Sequence, residues 1–225
     1  VPQKGTKHNL LELAQKNAEI SLEQFGEQMK KEELRTKGAL GEIAQVIGIQ
    51  KDIFRIEAYD ISNTQGIQSV GSMVVFEGGK PKRSDYRKFT IKTVIGPDDY
   101  GSMREVLERR LRRLNENSEN SFSKKPDLIL IDGGKGQVST AEGVIDDLGL
   151  DILVCGMIKD DKHRTRGLLY KKKELPLSIG TEGFKLITRI QDEAHRFAIE
   201  YHRKLLGKEQ IRSIIDDIPG VGKQR

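Results

Sequence analysis

Apolar residues recur at helical spacing near the start of the chain. Leu10, Leu13, Ala14, Ala18, Leu22, Phe25 and Met29 follow a 3.6-residue repeat, with Glu and Lys filling the rest. The pattern predicts an amphipathic helix over 9–37 that leans on the remainder of the domain. Gly38 and Gly48 bracket a shorter helix over 40–47. The period then changes. Arg55-Ile56-Glu57-Ala58-Tyr59-Asp60-Ile61 reads as a strand, and 69–76 as a second after the polar turn Asn63-Thr64-Gln65-Gly66. Gly78-Gly79 turns the chain into a third, alternating strand, Tyr86-Arg87-Lys88-Phe89-Thr90-Ile91. A helix over 100–114 follows Gly96-Pro97-Asp98-Asp99, and the polar stretch 115–125 reads as a loop. Leu128-Ile129-Leu130-Ile131 is a fourth strand, ended by Asp132 and two glycines. A helix over 137–148, a strand over 151–158 and a polar loop or hairpin over 159–173 come next. The long helix over 181–206 carries Phe184, Ile187, Ile190, Ala194, Ala198 and Tyr201 on one stripe.

Three hairpin-linked strands followed by helix, strand, helix, strand, helix make a mixed sheet with flanking helices, α/β in class. This order resembles the layout of the ribonuclease H-like fold, which gathers acidic side chains from its first strand, a later strand and its final helix. Three parts are expected: an N-terminal helical segment, 1–48, packed on the domain; the ribonuclease H-like domain, 49–210; and, in 211–225, the start of a truncated helix-hairpin-helix module. Its hairpin is Ile218-Pro219-Gly220-Val221-Gly222, whose glycine amides would hold a phosphate without reading sequence. Only the first part of such a module is there, so it is expected to be inert.

Charged residues make up 32% of the chain and hydrophobic ones 36%, which suits a soluble protein with a core. No apolar run approaches the roughly 20 residues of a membrane span. Val1-Pro2-Gln3-Lys4-Gly5 lacks a signal core, so neither membrane nor secretion is expected. Cys155 is the one cysteine; it excludes an internal disulfide and fits a reducing cytoplasm. Its apolar neighbours make it a buried structural thiol rather than a nucleophile. The net charge of +5 is compatible with nucleic acid. Basic residues cluster at Lys80, Lys82, Arg83, Arg87 and Lys88, at Arg109, Arg110, Arg112 and Arg113, and at Lys171-Lys172-Lys173. Each alone is a solvated face; together, beside an acidic site, they favour a polyanion partner.

The candidate chemistry starts from two strand-end carboxylates. Asp60 ends or nearly ends the first strand and Asp132 ends the fourth, and in such a sheet these strands are parallel neighbours. Two carboxylates side by side repel unless cations sit between them. Oxygen ligands on a rigid sheet suit Mg²⁺ or Mn²⁺, and a pair of such ions can activate water against a phosphodiester. Asp98 and Asp99 read first as helix caps; one of the two can cap while the other is free to reach the site, and composition does not choose between them. His195 lies beside the apolar stripe of the long helix. Asp192 and His202 share its face, but the four-residue histidine spacing of a helical zinc pair is missing. Spacing alone favours a core-edge histidine, with a metal ligand or proton shuttle as the alternative. Gly133-Gly134-Lys135-Gly136-Gln137 fails the Walker spacing, with Ile129 where glycine belongs and Gly136 where Ser or Thr belongs, so no nucleotide cofactor is expected. Its amides could still hold a DNA phosphate.

Four segments carry a closer resemblance: 59–66, Gly96-Pro97-Asp98-Asp99-Tyr100, 127–137, and Asp192-Glu193-Ala194-His195-Arg196-Phe197-Ala198. In this order they resemble the bacterial excinuclease subunit UvrC family over nearly the whole chain, matching its C-terminal, ribonuclease H-like endonuclease half. The resemblance implies nucleotide excision repair, with Mg²⁺- or Mn²⁺-dependent incision 5′ to a lesion in damaged double-stranded DNA. It also implies UvrB as partner, UvrA upstream, and a cytoplasmic setting. The family's essential acids fall on Asp60, Asp99 and Asp132 and its essential histidine on His195, which selects Asp99 over Asp98. Asp60, Asp132 and His195 are then the implied metal ligands, with Asp99 a further ligand or a group acting on water and leaving group. Lys135, Gln137 and Arg196 lie within motifs as candidate DNA contacts. On this resemblance the sequence is expected to lack the family's N-terminal nuclease domain, which makes the 3′ cut, and the UvrB-binding segment is not recognisable in it. The contrasting reading is a non-catalytic DNA- or protein-binding module on the same scaffold, with structural acids and no divalent ion between Asp60 and Asp132.

Overall fold

The protein is described by a computed structural model over residues 4–62, 69–94, 96–115, 122–160 and 164–216, with 202–216 as backbone only. The expected turn at Asn63-Thr64-Gln65-Gly66, most of the 115–125 loop and the Ile218 to Gly222 hairpin lie outside the described residues.

Helix α1 (Thr6–Glu33) continues through a π-helical turn (Leu34–Gly38) into α2 (Ala39–Ile47). Gly38 keeps helical angles, so the break expected there does not occur; Gly48, left-handed at φ 79°, does end α2. The expected packing of the first helix is corrected. Leu10, Leu13, Phe25 and Met29 are exposed, and Leu22 is 78% exposed. The helix contacts the domain through its last turns, where Glu32 pairs with Lys80 at 2.7 Å and Thr36 is buried. In the β-turn between the second and third strands, Gly79 (φ 76°) comes so close to Thr36 that a Cβ would lie 2.9 Å from the Thr36 Cα. That contact seats the π-turn, and α1 projects beyond it. Helix α2 joins the main core through Ala39, Leu40, Ile43 and Ile47, so the core crosses the boundary expected at 48.

The sheet order is β3-β2-β1-β5-β6-β7-β8, with β4 also paired to β2. The strands are β1 (Arg55–Ser62), β2 (Val70–Glu77), β3 (Lys80–Pro81), β4 (Arg87–Thr90), β5 (Leu128–Ile131), β6 (Leu153–Lys159), β7 (Thr165–Tyr170) and β8 (Lys173–Pro176). The meander β1-β2-β4 is antiparallel, β5 and β6 run parallel to β1, and β7 and β8 return as a hairpin. This is the expected α/β arrangement. Helices α3 (Asp99–Leu111) and α4 (Lys135–Asp147) cover one face; α5 (Glu182–Asp216) and α2 cover the other. The buried stripe of α5 includes Ile187, Ile190, Ala194 and Ala198. Cys155 is buried among apolar neighbours, and burial pushes its thiol up to about 12.

A charged cluster sits inside the α3 side of the sheet. Glu57 is fully buried; its Oε1 accepts from Arg110 at 2.7 Å and from Arg55 at 3.1 Å, and its Oε2 accepts from the Tyr59 hydroxyl at 2.8 Å. Arg55 also pairs with Glu77 and Asp85, and Arg110 donates to the carbonyls of Phe122 and Lys124. Removing one member leaves the others charged in a dry interior. Glu57→Gln is therefore expected to lower unfolding free energy by about 3–5 kcal/mol. Urea denaturation followed by circular dichroism measures this; a loss within experimental error would mean the cluster is not coupled.

Candidate active site

Strand β1 pairs with β5 in a parallel register that matches Ile56 with Leu128, Ala58 with Leu130 and Tyr59 with Ile131. The next step matches Asp60 with Asp132, and the Asp132 amide donates to the Tyr59 carbonyl at 2.8 Å. Side chains alternate across a sheet, so both carboxylates emerge on the α5 face. There α5 presents His195, whose Nδ1 lies 3.7 Å from Asp60 Oδ2. One ligand atom from each of Asp60, Asp132 and His195 falls within 4.8 Å of the others, the one such group of three found among the described residues. Asp60 is buried, the Asp132 side chain is 4% exposed, and His195 stands at the mouth, 61% exposed.

Like charges in a poorly hydrated place make Asp60 hard to ionise. Burial first, then the neighbouring Asp132, push its carboxyl up to about 7; Lys159 opposes the shift and Asp99 adds to it. Asp99 is thus felt electrostatically at Asp60, although it lies outside the group of three. It opens α3 and lines a cleft with Pro97, Asp98, Tyr100, Gly134 and Gln137. Asp98 is the helix cap: its Oδ1 accepts from the amides of Tyr100 and Gly101, both at 3.0 Å. Both adjacent acids line this cleft, and Asp98 also caps the helix.

The three candidate DNA contacts are placed differently from one another. Lys135 is exposed at the start of α4 and lines a cleft of about 360 Å³ with Asp132, Gly133, Gly134 and Lys159. Gln137 is buried, folded over Gly133 so closely that a Cβ there would overlap it. Arg196 is held on its own helix by Glu193, at 2.7 and 2.9 Å, and by Glu200.

Three further residues shape the site. Lys159 Nζ lies 2.9 and 3.0 Å from the two Asp132 oxygens. Gln191 donates to Asp132 Oδ1 at 3.0 Å and accepts from the Thr165 hydroxyl at 2.6 Å. In the sequence Lys159 opens a polar stretch and Gln191 sits inside a helix; the sole signal for Lys159 is its place at a strand end beside Asp132's strand.

The family model described as the UvrC RNAse H endonuclease domain matches residues 44–199. A protein named UvrABC system protein C from Lachnospira eligens is 58% identical over 229 residues, covering all of this chain and 37% of its own length. One of the same name from Clostridium perfringens strain SM101 is 52% identical over 236 residues, covering all of this chain and 38% of its own length. The chain thus spans well under half the length of these curated relatives. A crystal structure of Ciona intestinalis Endonuclease V with an inosine-containing 24mer DNA aligns at 16% identity and a TM-score of 0.44, over 81% of this chain and 99% of that one. That likeness is too distant to add to fold or chemistry. The family match spans well over half of the chain and contains Asp60, Asp99, Asp132 and His195, so the chain belongs to the UvrC RNase H endonuclease domain family.

Proposed function

We propose that this chain is a divalent-metal-dependent endodeoxyribonuclease unit that hydrolyses a phosphodiester 5′ to a lesion in damaged duplex DNA during nucleotide excision repair. The observation that carries this reading is the convergence of Asp60, near the end of β1, Asp132, just past β5, and His195 of α5, one ligand atom of each within 4.8 Å of the others. Two carboxylates and one imidazole fit Mg²⁺ or Mn²⁺, and the imidazole nitrogen is the better match to Mn²⁺. When bound there, such an ion supplies positive charge against the phosphate and a water of lowered pKa.

The chain's own groups do the remainder. Gln191 fixes the Asp132 carboxylate so that its orientation does not depend on substrate. His195, exposed beside Asp60, can ligate or hold a proton at its outer nitrogen. Asp99 acts from the adjoining cleft on the attacking water or the leaving oxygen. Lys135 and the amides opening α4 offer positive charge to a DNA phosphate. UvrB as partner, UvrA upstream and a cytoplasmic setting extend the same proposal. Among the described residues no helix is long and apolar enough to cross a membrane. The 211–225 stretch is read as the start of a phosphate-binding helix-hairpin-helix.

Asp60→Asn and Asp132→Asn should each abolish Mn²⁺ binding in calorimetric titration and lower DNA cleavage on the order of 10²-fold or more, with circular dichroism unchanged. Metal binding and cleavage that survive in both folded variants would leave the non-catalytic reading standing.

Asp60 also sets a pH dependence. Between its ordinary value of 3.8 and about 7, the folded chain holds a proton that the unfolded chain has lost. Stability of the metal-free protein should therefore fall as pH rises through that window and level off above it. Mn²⁺ needs the ionised carboxylate, so its affinity should rise with pH up to about 7. Thermal melts from pH 4 to 8 test this, because Asp60→Asn should flatten the slope; parallel profiles for the two proteins would refute the assignment.

A further inference from the structure

Strand order puts Asp132 between two different neighbours. On the β1 side stand Asp60 and, above it, His195. On the β6 side stands Lys159, the last residue of β6. Leu128 pairs with Leu153 and Leu130 with Cys155, so Lys159 has the parity of Asp132 and emerges on the same face. Pairing of β6 with β7 shifts by one residue between Ile158 and Lys159, which places Thr165 opposite Lys159. Such a bulge re-aims side chains at a strand end. Here it brings the Thr165 to Gln191 hydrogen bond and the Lys159 ammonium to one carboxylate.

A two-ion nuclease holds its metals about 3.5–4 Å apart, bridged by a shared carboxylate, and the second ion needs further carboxylates. Among the described residues, the β6 flank of Asp132 does not offer them. Asp160 is turned to Arg164, which donates to it at 2.8 and 3.0 Å. Glu174, across the cleft, is engaged by Arg166 and approached by Lys135 at 3.9 Å. What occupies that flank is an ammonium touching both oxygens of Asp132. Its side chain is 32% exposed, and it borders the cleft of about 360 Å³. Two of its three protons suffice for Asp132, which leaves one for an oxygen across the cleft.

We propose that Lys159 is the second cation of the site: Asp60, Asp132 and His195 hold a single divalent ion, and the Lys159 ammonium, seated against Asp132, binds an oxygen of the scissile phosphate. This rests on the nuclease reading above and specifies its cation set.

The test uses the 225-residue chain and its Lys159→Met variant, with two measurements that do not depend on turnover. Mn²⁺ titration followed by electron paramagnetic resonance should give one ion per wild-type chain, bound at least as tightly by Lys159→Met because a competing ammonium is gone. Two ions per wild-type chain, or weaker binding by the variant, would overturn the proposal, since a lysine that merely orients Asp132 would weaken binding when lost. Binding of a short duplex in Ca²⁺, across a salt series, should lose about one from its logarithmic salt slope in Lys159→Met. An unchanged slope would equally overturn it. The two readings fail separately. If Asp132→Asn abolishes Mn²⁺ binding while Lys159→Met changes neither measurement, only the lysine's role is lost. If Asp132→Asn leaves Mn²⁺ binding intact, the nuclease reading is lost.

Discussion

Asp60 and Asp132 meet because β1 and β5 pair in one register, and a slip of one residue would send one carboxylate to the opposite face. That register is held at its far end by Asp127. Its Oδ2 accepts from the amides of Phe54 and Arg55 at 3.0 and 2.9 Å, while its own amide donates to the Arg55 carbonyl. Along the strand, the α5 face is apolar up to the acid, with Ile56 and Ala58 facing Leu128 and Leu130. The other face carries Arg55, Glu57 and Tyr59 in the buried charged cluster. A polar network of this kind is satisfied in one arrangement and leaves charges stranded in others, so it favours one register even where its net contribution to stability is small.

The same register concentrates negative charge at the strand ends, and the rest of the site compensates for it. Asp60 is kept hard to ionise by burial and by Asp132, with Asp99 adding to the shift. Lys159 and Gln191 satisfy Asp132, and Asp98 takes the helix-capping duty that would otherwise compete for Asp99. A metal-free domain built this way gives up stability near neutral pH in exchange for ligands already in position, the usual balance at a functional site.

Much of this is legible in the sequence, for definite reasons. The strand periods, the α5 stripe and the meander-first order each rest on a repeat that survives packing. Asp60 and Asp132 can be paired once the strand order is matched to the ribonuclease H-like layout, which makes their strands neighbours. Other features depend on contacts between distant segments. Gly38 reads as a helix break, yet it sits in a continuous helical run carried past it by the π-turn. The stripe of α1 reads as a packing face, but the helix leaves the domain where Gly79 approaches Thr36, a contact between residues far apart in the chain. Lys159 reads as the beginning of a polar segment, since neither the bulge nor the parity of β6 relative to β5 is visible in a single sequence. Asp98 and Asp99 are equally good caps by residue type, and the family resemblance, not spacing, separates them.

His195 makes the deepest demand on the fold, because it comes from a helix rather than from the sheet. Its distance to Asp60 is set by how α5 lies across β1, β2 and β7. Ile187, Ile190, Ala194 and Ala198 are buried and fix that rotation, and the small side chains of Ala194 and Ala198 let the helix approach the strands. The start of α5 is tied as well. Thr181 accepts from the Phe184 amide, and Glu42 of α2 accepts from the Gly183 amide at 2.6 Å. A Cβ on Gly183 would meet Glu42 at 3.0 Å, so the two helices touch with no room to spare. α2 is therefore structurally part of the endonuclease domain. It braces the helix that carries the histidine, and a boundary drawn at residue 48 would separate the brace from what it holds.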